Sequence, residues 1–175
     1  MQISQTKEQI AALSAFQQHC EIESITLQNC SAVRAKSGTS FKAPFTAKPV
    51  LSNVSSIMRD GTLTAEVSFE YSAWDSSEPP ERVFLVNCVF EASYRLIDGY
   101  GPSADEISSF TKGTAVFNCW PYAREFMRDI TARLGHTAPA LPLLRIVPKR
   151  PEAQPPQEAP KLKEPAIDNQ KKLDT

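Results

Sequence analysis

Asp60-Gly61-Thr62-Leu63-Thr64-Ala65-Glu66-Val67-Ser68-Phe69-Glu70-Tyr71-Ser72-Ala73 reads as a tight turn running into a half-buried strand. From Leu63 to Ala73 apolar residues take every odd position and Thr, Glu or Ser every even one, the period of a strand with one dry face. The Asp-Gly pair ahead of it suits a type I′ turn, which needs positive φ at both central residues. A weaker strand, Val50–Arg59, leads into that turn. Downstream, Glu78-Pro79-Pro80-Glu81 makes the next turn and a longer strand follows. There Phe84, Val86, Cys88, Phe90, Ala92, Tyr94 and Leu96 share one face. Asn87, Glu91, Ser93 and Arg95 share the other with Leu85 and Val89, so the second face is only partly wet. A sheet apolar on both faces calls for a cover on the second, from another subunit or a ligand.

Working upstream, Cys20–Ala35 sets Ile25, Leu27 and Val33 against Ser24, Thr26 and Gln28, a further strand stopped by Gly38. Phe41 and Phe45 then lie near Pro44 and Pro49. Proline gives no ladder N–H, which excludes a regular central strand and predicts a crossover loop carrying aromatics. Near the start, Thr6-x-x-Gln9 is a capping box, and Ile10, Leu13 and Phe16 follow at near-helical spacing. A helix over residues 7–18 is predicted. One so short needs a surface to dock on.

Working downstream, Asp98-Gly99-Tyr100-Gly101-Pro102 ends the sheet, and Ser103 with Asp105 and Glu106 opens a short helix. The main helix is predicted from Thr114 to Leu134, with Val116, Trp120, Ala123, Met127, Ile130 and Leu134 on one face and Cys119 and Phe126 beside it. Pro121 lies early in it, as a first-turn residue or a kink. Gly135 is placed as the residue after the helix cap. His136, as a partly charged imidazole, would complement the carbonyl end of the helix. Beyond it, residues 148–175 hold six of the fourteen prolines and no aromatic residue. Such a segment cannot bury enough apolar surface to offset the entropy of ordering it. The predicted organisation is an amphipathic helix in 1–19, an α+β domain in 20–147 and a disordered Pro-rich tail in 148–175.

The chain has 175 residues, 22% of them charged, and a formal net charge of -1. Neither nucleic acid nor an anionic membrane is expected as a partner. Cys20, Cys30, Cys88 and Cys119 show no Cys-x-x-Cys spacing and read as free thiols in a reducing cytosol. No apolar leader and no run near the ~18 residues of a spanning helix is present, so a soluble cytoplasmic protein without membrane insertion is expected. His19, Cys20 and Cys30 have too few partners for structural zinc and lack an orienting third group for nucleophilic catalysis. Glu66, Glu70 and Glu91 read as a solvated sheet face. Arg124 and Glu125 are expected in helix-to-sheet or inter-subunit ion pairs. Without a GxxxxGK[ST] or GxGxxG motif no nucleotide site is encoded. No catalytic residue, metal or cofactor is expected.

One run is more specific than any of these patterns. Cys119-Trp120-Pro121-Tyr122-Ala123-Arg124-Glu125-Phe126 resembles the aromatic-Pro-Tyr-Ala-Arg-Glu signature on the principal helix of SecB-family export chaperones. Thr131-Ala132-Arg133-Leu134-Gly135 and Pro139-Ala140-Leu141-Pro142-Leu143 are similar to that family's helix exit and closing segment. The resemblance implies a four-stranded antiparallel sheet with one long helix on one face, assembled as a homotetramer, a dimer of dimers. It implies an ATP-independent holdase that binds non-native polypeptide clients, with protein export as one setting, in a groove holding Phe41, Phe45, Leu51, Trp120, Tyr122, Phe126 and Met127. Two departures qualify it. Where the family docks the translocase motor SecA through carboxylates, this chain carries Asn29, Val33 and Asn87, which puts SecA docking in doubt. The N-terminal helix and Pro-rich tail look more like the SecB-like chaperones dedicated to an antitoxin in toxin–antitoxin systems. A further alternative is an interaction module that keeps the fold without holding clients.

Overall fold

The computed structural model describes residues 1–35, 44–97, 99–137 and 140–148. In chain order its elements are β1 (Gln2–Gln5), α1 (Lys7–Gln17), β2 (Cys20–Arg34), β3 (Thr46–Arg59), β4 (Thr62–Trp74), β5 (Arg82–Leu96), α2 (Ala104–Phe110), α3 (Val116–Arg133) and β6 (Arg145–Pro148). A π-helical turn, Thr111–Ala115, links α2 to α3, so the two helices foreseen as separate run on as one. Residues 149–175, nearly all of the expected tail, lie outside the described residues, as does Phe41.

β2 to β5 form one antiparallel sheet in the order β2-β5-β4-β3. The type I′ reading holds: Asp60 has φ 47° and Gly61 φ 75°. Leu63, Ala65, Val67, Phe69 and Tyr71 of β4 and Val86, Cys88, Phe90, Ala92 and Tyr94 of β5 are buried. Val116, Cys119, Trp120, Ala123 and Met127 of α3 close over them. Thr131 is wholly buried in this stripe and is satisfied because its hydroxyl donates to the Met127 carbonyl at 2.6 Å. The opposite sheet face carries no helix among the described residues, and Glu66 and Glu91 stand directly across from each other on it.

Two strand readings need correction. β3 begins at Thr46, not Val50, and runs through Pro49. It is an edge strand, where a missing N–H on the outer side costs no ladder bond. In β2, register shifts between Ile22 and Ser24 and between Leu27 and Asn29 change the parity. Ile25 and Leu27 therefore pair with Ala92 and Phe90 on the helix side, while Val33 pairs with Leu85 on the other.

The helix ends follow their sequence signals. Thr6 and Gln9 cap each other's backbone at the start of α1, and Ser103 and Glu106 do so for α2. Gly135 has φ 83°; its N–H donates to Ala132 O and that of His136 to Thr131 O, a Schellman stop for α3. His136 does not act as the charged cap expected of it. Burial and the neighbouring Arg34 cation lower its pKa, and its ring packs 5.3 Å from that of Phe84.

α1 docks on the helical layer. Phe16 is fully buried against Phe110, with 4.4 Å between ring centroids, and Gln17 Nε2 donates to Thr114 Oγ1 at 2.8 Å. No local signal foretold the parallel ribbon that joins β1 to β6, with Ile3 opposite Ile146.

Candidate functional site

α3 shows three stripes. The central one is core. On the flank toward β2, Tyr122, Phe126 and Asp129 recur at helical spacing. That flank and the inward side of β2 bound an open groove of ≈ 670 Å³ lined by Leu27, Phe90, Tyr122 and Phe126, with Glu125, Arg128 and Asp129 along the rim. Leu27 sits opposite Phe90 in the ladder and remains 42% exposed, while Tyr122 is 51% exposed with its ring 6.4 Å from that of Phe90. The floor is thus aromatic and aliphatic and the rim charged, a surface suited to apolar side chains without fixed orientation. Asp129 is engaged with Arg133 at 2.9 Å. β2 borders the groove as a sheet edge, carrying Ile22 and Val33 at 50% and 56% exposure.

On the other flank, Pro121, Arg124 and Arg128 face Ala140 and Leu141. The helix-to-sheet ion pairs expected of Arg124 and Glu125 do not form among the described residues, and Arg124 Nε is buried without an acceptor. Past the end of α3 a second hollow of ≈ 350 Å³ lies between Phe45, Ala47, Tyr71, Phe84 and His136.

Three of the four thiols sit in surroundings that disfavour the thiolate. Burial pushes the thiol of Cys20 up to about 11 and those of Cys88 and Cys119 up to about 12, so none is a ready thiolate. His19 stacks on Tyr100 with ring centroids 4.4 Å apart. Among the described residues no cluster of His, Cys, Asp or Glu could hold a metal, and no helix is long and apolar enough to cross a membrane.

No protein-family model and no curated protein matches the sequence. Among solved structures, a SecB-like chaperone of Mycobacterium tuberculosis, in complex with a ChAD peptide from the HigA1 antitoxin, matches with a TM-score of 0.68 at 17% identity. The match covers 78% of this chain and 99% of that one.

This chain has the SecB-like fold.

A protein of unknown function from Streptococcus agalactiae matches more loosely, with a TM-score of 0.38 at 12% identity over 71% of this chain and 97% of its own. On the SecB-like frame the residues expected at the groove fall in different places. Tyr122 and Phe126 line it together. Phe45 is 52% exposed and sits at the second hollow, while Leu51 is half-buried on β3 across the sheet. Trp120 and Met127 are 2% and 0% exposed, in the core stripe, and Trp120 Nε1 donates to Pro142 O at 3.0 Å. Position in the helix decides this, because residues 120 and 127 point into the sheet while 122 and 126 lie one flank over. Leu27 and Phe90, expected as strand-face residues, were not foreseen at the groove. The signal for them was strand order, since only pairing of β2 with β5 brings Leu27 beside α3.

Proposed function

We propose that this chain is an ATP-independent holdase that binds extended, non-native stretches of other polypeptides along the groove between β2 and α3. The supporting observation is the open apolar floor of Leu27, Phe90, Tyr122 and Phe126 beside a strand edge left unpaired among the described residues. Each large apolar client side chain seated there gains roughly 1.5–3 kcal/mol, and a segment laid against β2 adds main-chain bonds without demanding a sequence. Phe45 and Leu51, and Phe41 beyond the described residues, extend the proposed client surface. A chemically unfolded client diluted with and without the purified chain tests this by light scattering. Suppressed aggregation at stoichiometric ratio is expected; an unchanged scattering trace overturns the proposal.

A narrower version assigns the groove to one antitoxin. The antitoxin peptide held by the M. tuberculosis neighbour favours it. It predicts tight binding to a single partner segment and little protection of generic clients, which titration against both kinds of peptide separates. Delivery to SecA forms no part of the proposal, because Asn29, Val33 and Asn87 share the uncovered sheet face and bring no charge to it. That uncovered face and the free β2 edge support assembly into a tetramer. Sedimentation yielding only a ~19 kDa species would remove that part.

A further inference from the structure

Cys30 and Cys88 occupy directly opposite positions in the β2–β5 ladder, and both are free thiols. Opposed residues in an antiparallel pair have Cα atoms about 4.5–5.5 Å apart and side chains on the same face. A disulfide spans Cα separations of about 4.4–6.8 Å, so the pair lies within bonding reach with no change of fold. The two sulfurs differ in access. Cys30 is exposed on the edge strand, three residues beyond Leu27, whereas Cys88 is fully buried under α3. The register shift between Leu27 and Asn29 lies next to Cys30, where the ladder is already locally irregular.

We propose that Cys30 and Cys88 form an oxidisable pair, which a hydroperoxide converts into a cross-strand disulfide that pins β2 at the groove. In the first step the Cys30 thiolate attacks one peroxide oxygen, the O–O bond breaks, hydroxide leaves and Cys30 becomes a sulfenic acid. The sulfur of Cys88 then attacks that sulfur, and the displaced hydroxide carries away the Cys88 proton as water. Overall two thiols lose two electrons and two protons while one hydrogen peroxide becomes two waters. The burial that keeps Cys88 protonated makes Cys30 the entry point and Cys88 the resolving partner. Cys119, also near Cys88, is enclosed by the core and lacks a route for the oxidant.

Thiol counting on the full chain after a small molar excess of hydrogen peroxide tests the proposal. Titratable thiols in denaturant should fall from the four free cysteines to about two. Peptide mapping should place the new bond between the segments holding Cys30 and Cys88, and dithiothreitol should restore the full count. Cys30→Ala, a change at an exposed edge position, should abolish the loss while leaving the fold intact. A count that does not fall, a bond joining Cys30 residues of two copies, a Cys88–Cys119 link, or Cys30 recovered only as sulfinic acid each overturns the proposal.

Discussion

The side-chain amide of Gln5 lies over Gly113, its nitrogen 2.5 Å from where a Cβ on that glycine would stand, with a Leu13 methyl at 2.6 Å. Both neighbours are buried and the Gln5 amide donates to Ser109 O, so neither can swing out into solvent. The π-helical turn therefore seats β1 and α1 through the absence of a side chain.

Gly113→Ala should accordingly destabilise the chain by up to about 2 kcal/mol, an overpacking cost of about 1–3 kcal/mol less a helix-propensity gain of up to ~1 kcal/mol. Denaturant titration measures the change. Combining it with Leu13→Ala should give less than the sum of the single effects, because the second change empties the space the first invades.

Groove and core residues on α3 should separate cleanly. Tyr122→Ser and Leu27→Ser, both at exposed positions, should leave the unfolding midpoint nearly unchanged and weaken a bound client peptide about tenfold each, for a loss of about 1.4 kcal/mol. Trp120→Ala, in the core, should cost about 3–5 kcal/mol of stability. Fluorescence anisotropy with a labelled peptide, read beside denaturation curves, distinguishes the two classes.

Glu106 accepts a hydrogen bond from the Tyr100 hydroxyl and two from Ser103, and these hold its carboxyl below the usual range. A carboxylate whose folded pKa is depressed adds stability above its unfolded value of 4.5 and loses it as pH falls through the lower folded value. Glu106→Gln should therefore flatten the acid limb of a stability-versus-pH curve below that value while leaving its shape near neutrality unchanged.

The His136 imidazole should titrate below 6.5 in a proton NMR experiment, since burial and then Arg34 oppose its charge. The sign follows: the folded state binds fewer protons than the unfolded one near that pH, so this residue's contribution is full above 6.5 and fades as the solution is acidified. Replacing Arg34 by Ala should move the midpoint upward.

Local chemistry made much of the architecture readable. The Thr6–Gln9 cap, the Asp60-Gly61 turn and the Gly135 stop each act within a few residues, and each stands where the sequence placed it. What escaped depends on residues far apart in the chain. The outward face of Val33 follows from irregularities in the pairing of β2 with β5, which the alternation of β2 alone cannot reveal. Pro49 argued against a strand only until β3 proved to be an edge. Half the groove was legible because Tyr122 and Phe126 lie on one helix; Leu27 and Phe90 needed strand order. Trp120 and Met127 show the limit of a motif, since neighbours in sequence there face different sides of the helix.

The ribbon of β1 with β6 has a consequence for biosynthesis. A nascent chain emerges amino end first, so residues 2–5 leave the ribosome with no strand to pair with until residues 145–148 follow. The large sheet and its helix can be complete by then, and the later-made strand fastens the earlier-made one, with Arg145 N–H bonded to Met1 O. Deleting residues 2–5 or 145–148 would leave that clasp open and the docked α1 tethered by its own contacts.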